Sequence, residues 1–571
     1  MNVQRNIFAG LLIFIVFLTI PLYLDFIGVE DVNDFSETDR PLEIKNDGDE
    51  KEIKNQNDAK NDLTFNKYNE NTNNRVERLI TINTNYYSMI LSNRAGGSIV
   101  FYQLTENRAD QTPRYVGSYD QAIYNDSLMV KLIDNPLAER CAPCLGINGE
   151  KLNGIFTFNS TEDNIYLKPD ESKELIFTYE IGPDEYVEKR IVVDGDGFDF
   201  ESQYLYKTNK NNVEIVWDGG LLPTEPGDSD VWEGHSAAYI YQNNSLESIA
   251  QGDHLDIKPQ TFSGDVDWFA IRNKYFGIIV IPEKPMEYAK LASKNSAVFE
   301  GREITPIYTA VLGSTVQSQT MQQTNSFTTY IGPLDLDHIQ RLDSSVESIM
   351  NFGWSIIKPF SKMILWIVKS LHNTLGLNYG FVLIIIAIMM RFIMGPLTRK
   401  SAESSVKMQA VAPLQKKLQE KYKNNPQQLQ KEMGELWKKH GVNPISGCLP
   451  MLLQWPVLMS FFIVFRSTIE FRGEPFVFWI TDLSQPDYLF NLPFHIPMYG
   501  SAVAVLPIIM GISMFLTMSV TMQDKSQKPM MYFMNTFFIL IFNSFPSALT
   551  LYYTVFNFLS YQQQLSIKKN K

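Results

Sequence analysis

Long uncharged apolar runs constrain this chain more than any other feature. One of them, Ile7–Leu24, is 18 residues long and follows a short head containing Arg5. Five more lie close together near the C-terminus, at about Tyr379–Thr398, Cys448–Phe465, Gly500–Thr521, Pro529–Phe545 and Ala548–Ile567. Each is close to the length needed to cross ~30 Å of hydrocarbon. Inside lipid such runs must be helical, because every backbone N–H and C=O has to be satisfied within the segment. The first run reads as an uncleaved anchor rather than a signal peptide, since bulky Pro21-Leu22-Tyr23-Leu24 stands where small residues would mark cleavage. The expectation is six transmembrane helices in total.

Charge gives the orientation. Residues 1–350 hold 29 Lys/Arg against 54 Asp/Glu, while residues 351–571 hold 21 against 9, so the sequence pI of about 5.1 describes neither part. Arg399 to Lys439 alone carry ten Lys/Arg and four acids. Lys525, Lys528, the tail Lys568-Lys569-Asn570-Lys571 and Arg5 fall on the same side of a six-span chain. Basic flanks face the cytoplasm, which puts both termini there and the acidic region 28–350 outside. That region has no basic stripe, so DNA is not an expected partner.

Residues 29–75 are rich in Asn, Asp, Lys and Glu and poor in aromatics, a composition that buries too little to fold and reads as a disordered periplasmic tether. From Val76 short β-rich runs recur, among them Leu79–Ile82, Ser98–Leu104, Glu174–Glu180, Glu185–Val193, Phe198–Tyr206, Val213–Trp217, Phe276–Ile281 and Asn325–Ile331, separated by Gly- and Asn-rich turns. They predict a β-sandwich over 76–335. No zinc-protease, nucleophile-elbow, Walker or dinucleotide motif occurs, so neither catalysis nor a cofactor is expected. Asp194-Gly-Asp196-Gly-Phe-Asp199 lacks the closing Glu of a calcium loop, that position being Leu205, and reads as a hairpin turn. Trp232 and Trp268 read as core rather than as a sugar cleft. Cys141 and Cys144 have the spacing of a local disulfide or of two ordinary thiols, with a redox or zinc pair the weaker alternative.

Only one Asp, Glu, Lys or Arg falls inside the six runs: Arg391. It sits seven residues before Thr398, ~10 Å below the cytoplasmic end. An intramembrane Arg costs ~2.5–3.5 kcal/mol on insertion scales and marks a functional site by default. Snorkelling to the headgroups is the plainer alternative. No intramembrane carboxylate is available to pair with it, so a hydrated recess would draw an anionic group from outside the protein. Gln454, Asn535, Asn543, Asn557, Tyr552 and Tyr553 are its candidate polar neighbours. Of the 22 Met, 16 lie in residues 351–571, and Met-rich surfaces adapt to varied apolar guests, although ordinary membrane packing also uses Met.

Two amphipathic stretches flank these runs. Within 399–440, Val411, Leu414, Leu418 and Tyr422 repeat on one face, Asn424-Asn425-Pro426 breaks the pattern, and Leu429, Met433 and Leu436 resume it. This is a basic cytoplasmic helical hairpin. Trp354–Leu375 sets Ile357, Phe360, Ile364, Ile367 and Leu371 against Lys358, Lys362 and Lys369, and reads as a helix in the outer interface, closing a linker over 336–376. The chain thus divides into an anchor (1–28), a tether (29–75), the sandwich, that linker, and a five-helix core (377–571).

Four segments carry a family resemblance: Met390-Arg391-Phe-Ile-Met-Gly-Pro396-Leu-Thr398, Asn443-Pro444-Ile-Ser-Gly447-Cys448-Leu-Pro450-Met-Leu-Leu-Gln454, Phe478-Trp479-Ile-Thr-Asp482-Leu483-Ser484, and Phe545-Pro546-Ser547-Ala-Leu-Thr-Leu-Tyr552-Tyr553. In order and spacing they resemble the YidC-type membrane protein insertases of Gram-negative bacteria, relatives of the mitochondrial oxidase-assembly and chloroplast Albino insertases. Tyr275-Phe276 and Tyr330-Ile331-Gly332-Pro333 resemble the family's periplasmic domain more loosely. The resemblance implies an inner-membrane insertase and folding chaperone without a cofactor. It would receive nascent membrane proteins in a hydrophilic groove, with the Sec translocon and its accessory subunits, the ribosome and membrane lipid as partners. Carried onto this chain, the groove comprises Arg391, Tyr553, Tyr552, Gln454, Met390 and Ala387, the last standing where some members have a Thr. A polytopic solute transporter or channel with a periplasmic binding domain is the alternative, and an anchored carbohydrate sensor a third.

Overall fold

The computed structural model describes residues 76–120, 122–134, 141–227, 235–250, 257–295, 299, 302, 305–316, 322–441, 449–496, 499–521 and 528–569. The expected anchor, tether, Trp232 and the segment Asn443 to Cys448 lie outside them. The chain forms two compact units. One holds the β-structure up to Leu334 together with Leu342–Ile349, and the other holds Asp335–Arg341 and Met350–Lys571.

The β-rich unit is built on a 14-stranded sheet. From one edge its strands are Glu150–Lys151, Cys144–Ile147, Asn212–Asp218, Pro306–Thr315, Met286–Asn295, Ile257–Arg272, Phe276–Pro282, Gln323–Pro333, Asp199–Lys207, Glu185–Asp194, Ser172–Gly182 and Thr157–Phe158, with Ala237–Gln242 and Ser245–Ala250 attached through Ile257–Arg272. A five-stranded sheet runs Asn164–Tyr166, Leu79–Asn83, Tyr87–Ser92, Ser98–Leu104 and Lys131–Asp134. Period-two alternation decides which side chains turn inward. In Glu185–Asp194 the buried positions are Val187, Lys189, Ile191 and Val193. The sheets are tied by Tyr102, whose hydroxyl donates to the Ile331 carbonyl at 2.8 Å. The two segments that loosely resembled the family's outer domain are neighbouring antiparallel strands, pairing Phe276 with Pro333 and Ile279 with Tyr330.

The Asp194–Asp199 segment is a hairpin turn, as expected: Val193 pairs with Phe200 across it. Cys141 and Cys144 form a disulfide, both half-cystines buried against Ala95, Val216 and Val311. Trp268 is core, its indole N–H donating to Ser345 Oγ at 2.7 Å. Arg272, also buried, donates to the carbonyls of Asn273, Lys274 and Ile349 at 2.9, 2.8 and 2.5 Å. These two anchors explain why Leu342–Ile349 belongs with the β-unit. Among the described residues no cluster of His, Cys, Asp or Glu could hold a metal.

The helical unit contains α1 (Leu336–Leu342), α2 (Lys358–Leu375), α3 (Tyr379–Lys421), α4 (Pro426–Lys439), α5 (Leu449–Ser467), α6 (Val505–Thr521), α7 (Lys528–Phe542) and α8 (Ser547–Lys569). Among the described residues, Tyr379–Pro396 is long and apolar enough to cross a membrane, and Val505–Val520 and Met531–Phe542 are shorter apolar helices. Two sequence expectations change here. The first arm of the hairpin is not a separate helix: α3 runs unbroken through Pro396 and Pro413 for 43 residues, ~65 Å at 1.5 Å per residue. The break comes at Asn425, whose side chain accepts from Gln428 N and caps α4. Gly500–Ala504, expected as the start of a span, is instead a strand paired with Tyr488–Ile496. Gly500 turns at φ 89°, and the backbone after it bonds to a side chain rather than to a helix.

Helix α2 has two apolar faces where one was expected. Ile357, Ser361, Ile364, Leu365 and Val368 are buried, whereas Ile356, Phe360, Met363 and Trp366 are exposed. Lys369, expected on the solvated side, instead bonds Asp335 at 3.0 Å and Asp337 at 2.5 Å, with Glu470 at 3.5 Å. The three carboxylates come from two other elements and lock α2 in place. The Lys369 pKa is held above the usual ammonium range, because Glu470 and Asp335 outweigh the opposing effect of burial.

Candidate functional site

Three helices build the site. On α3, Met390 and Met394 are one turn apart; on α5, Gln454, Val457 and Leu458 share a face; on α8, Tyr552, Tyr553 and Phe556 do. Together these eight side chains line one cleft. Four of the six expected groove residues are among them: Met390, Gln454, Tyr552 and Tyr553. Arg391 sits at the cleft's edge, its guanidinium carbon 5.7 Å from the centroid of the Phe556 ring, within cation–π range. Its Nε and Nη2 are buried and have no hydrogen-bond partner among the described residues. Ala387 is fully buried one turn before Arg391 and is not among the side chains that line the cleft.

The cleft is narrower than the expected hydrated recess. Its lining leaves no space wide enough to admit a water molecule. The cause is the lining itself. Two flexible thioethers and three aromatic rings fill the gap, with Tyr552 stacked on Phe556 and its ring centroid 4.2 Å from that of Phe461.

The other polar candidates lie elsewhere. Asn543 is fully buried; its Oδ1 accepts from Ala504 N at 2.9 Å, and its Nδ2 donates to the carbonyls of Tyr499 and Ala502, both at 2.7 Å. The Asn557 carbonyl accepts from Thr517 Oγ1, joining α8 to α6. The Asn535 side chain approaches Gly511 of α6. Gln563 of α8 donates to the Gly395 carbonyl at 3.4 Å, and the cleft residues not foreseen are Met394, Val457, Leu458 and Phe556. Helical spacing from Met390, Gln454 and Tyr552 reaches these four.

Two of the shared sequence segments support α8. Asp482 and Gln485 lend their carbonyls to Ser547 Oγ and Ser547 N at 2.8 and 2.9 Å, and Leu483 lends its own to Ala548 N at 2.9 Å. The loop after Trp479 therefore seats the N-terminus of the helix that carries both tyrosines.

The family model described as 60Kd inner membrane protein matches residues 370–571, and that described as YidC periplasmic domain matches residues 117–367. The membrane protein insertase YidC of Chlorobium limicola is 33% identical over 508 residues, covering 86% of this chain and 83% of its own. That of Prosthecochloris aestuarii is 32% identical over 504 residues, with the same coverage. The chain belongs to the YidC family of membrane protein insertases. It is similar to the crystal structure of an active YidC insertase with the first transmembrane domain resolved, at 17% identity and a TM-score of 0.34, covering 86% of this chain and 93% of that one. As a YidC insertase it is an inner-membrane protein with a β-rich periplasmic domain, and its substrates are nascent membrane proteins.

Proposed function

We propose that this YidC chain receives the polar end of an incoming segment at the cleft between α3, α5 and α8, and releases its apolar part sideways into lipid. In this reading six helices span the membrane, both termini and the α3–α4 hairpin are cytoplasmic, and the β-unit is periplasmic. The observation that carries it is the Arg391 guanidinium, with two buried nitrogens unpartnered among the described residues, at the rim of a cleft walled by Met and aromatic side chains.

Moving a polar tail through dry hydrocarbon is costly because its charges and backbone lose water. A cationic station part-way across shortens that path. At ~4 Å an ion pair gains ~4 kcal/mol where the effective dielectric is near 20, against ~1 in bulk water. The thioethers of Met390 and Met394 yield readily, so the narrow cleft opens as the guest enters. Burial of the guest's apolar surface in lipid, at ~25 cal/mol per Å², drives release without nucleotide hydrolysis. The Sec translocon and its accessory subunits, the ribosome at the basic hairpin and tail, and membrane lipid are the partners of this scheme, and the same cleft serves a folding-chaperone role.

The test is insertion of a reporter with an acidic translocated tail by Arg391→Lys, Arg391→Ala and Arg391→Glu proteins. Function in Lys with loss in Ala and Glu is the expected result. Equal insertion by all three removes the charge from the mechanism.

A further inference from the structure

Between α5 and α6 the helical unit carries a two-stranded hairpin, Tyr488–Ile496 paired with Gly500–Ala504. Its composition is unusual for a solvent-facing loop. From Tyr488 through Gln523 there is no Asp, Glu, Lys or Arg. Tyr488, Leu489, Phe490 and Phe494 are between 47% and 60% exposed, and Phe478, on the preceding loop, is 90% exposed. Leu489 and Phe490 are neighbours on one strand, so both faces of the ribbon present large apolar groups.

The ribbon is not a loose loop. Asp487, buried at its base, accepts through Oδ2 from Trp479 Nε1 at 2.8 Å, Val505 N at 3.1 Å and Leu506 N at 2.7 Å. One carboxylate thus joins the start of the hairpin to the N-terminus of α6, where a negative charge is favoured. Asn543, at the end of α7, holds the backbone of Tyr499, Ala502 and Ala504 from the other side. A lone two-stranded ribbon is marginal in water; this one is clamped at its root while its aromatic side chains project outward.

We propose that this hairpin is a membrane-interface anchor, its aromatic side chains seated among the headgroups and upper acyl chains of the outer leaflet. The occupant is lipid because the uncharged stretch continues without interruption into α6, which the proposed function places across the bilayer. The inference rests on that reading. Depth follows from the backbone. Each strand has only one neighbour, so each outer edge carries N–H and C=O groups without a strand partner. Hydrocarbon does not tolerate such edges, whereas the headgroup layer supplies water and acceptors. Tyr rings such as that of Tyr488 favour that same layer, and Phe and Leu side chains of interfacial elements bury just beneath it. The ribbon therefore fixes the depth and tilt of α6 from outside.

The test uses the full chain in proteoliposomes, with Cys448→Ser removing the one cysteine outside the disulfide. A fluorophore is placed at Phe494→Cys, and in a second protein at Ile512→Cys on the exposed side of α6. Quenching by lipids with a nitroxide near the headgroup is compared with quenching by lipids with a nitroxide near the chain end. The expected result is ~2-fold or stronger preference for the headgroup quencher at 494 and the reverse at 512. A label at 494 that neither lipid quenches, with 512 quenched normally, overturns the inference and leaves α6 in the membrane. A label at 494 quenched best from the chain end also overturns it. If 512 is unquenched as well, the membrane reading of α6 itself fails. Phe490→Cys repeats the measurement should Phe494→Cys not accumulate.

Discussion

Replacing Lys189 with methionine should stabilise the β-unit at neutral pH and lose that advantage in alkali. Lys189 is 1% exposed and sits on the inward face of its strand between Val187 and Ile191. Its Nζ donates to the carbonyls of Pro143 and Gly97 at 3.2 and 3.4 Å and lies 5.1 Å from the centroid of the Tyr204 ring. Burial brings its pKa down from 10.5 to about 7. The sign follows directly. The unfolded chain holds a proton on Lys189 up to pH 10.5 and the folded chain sheds it above about 7, so folding is penalised across that window. Stability should rise by ~1.4 kcal/mol per pH unit between these limits and stay flat below the lower one. At pH 7 the penalty is on the order of 4 kcal/mol, offset by the two hydrogen bonds at ~1 kcal/mol each. The assay is denaturant unfolding of the full chain in detergent, followed by tryptophan fluorescence, since Trp217 and Trp268 are buried in this unit. Subtracting the Lys189→Met curve from wild type cancels every other titration. The difference should change by roughly 2.5 kcal/mol between pH 7.5 and 9.5. A difference that is flat across that range refutes a neutral buried amine.

Two further substitutions probe the packing of each unit in turn. Lys369→Met leaves Asp335 and Glu470 buried without their cation, and should cost ~3–5 kcal/mol, read as earlier thermal unfolding of the helical unit, with Lys369→Arg close to wild type. Gly195→Ala would drive a Cβ into the Lys168 carbonyl oxygen; it should destabilise the β-unit by ~1–3 kcal/mol, measured by the same unfolding curves.

How much of this was legible varies by element, for physical reasons. Uncharged runs mark helices because lipid permits little else, and Glu185–Asp194 and Asp199–Lys207 show themselves through alternation. Ile257–Arg272 escapes notice because its first half, with Lys258, Gln260, Thr261 and Ser263, is polar and mostly exposed. The hairpin at Tyr488–Ile496 is hidden for the opposite reason: it is apolar on both faces, so no period marks it as a strand. Asn543 reads as a groove residue when only its own helix is considered; its backbone partners lie 39 to 44 residues away. The faces of α2 were misassigned because Lys369 turns inward to carboxylates on other elements. Met390, Gln454, Tyr552 and Tyr553 come together at one cleft, while its width depends on rotamers that no one-dimensional pattern carries.

Insertion by this cleft requires a translocating polar segment to pass beside Arg391. Photo-crosslinking from Met394, on the cleft wall one turn from Met390, to a stalled nascent membrane protein addresses this most directly. Adducts to the polar tail should be several-fold stronger, on the scale of one ~1.5–3 kcal/mol charge contact, for an acidic tail than for its neutral counterpart, and this preference should disappear in Arg391→Ala. Absence of adducts from Met394, or adducts indifferent to tail charge in both proteins, would contradict passage beside Arg391.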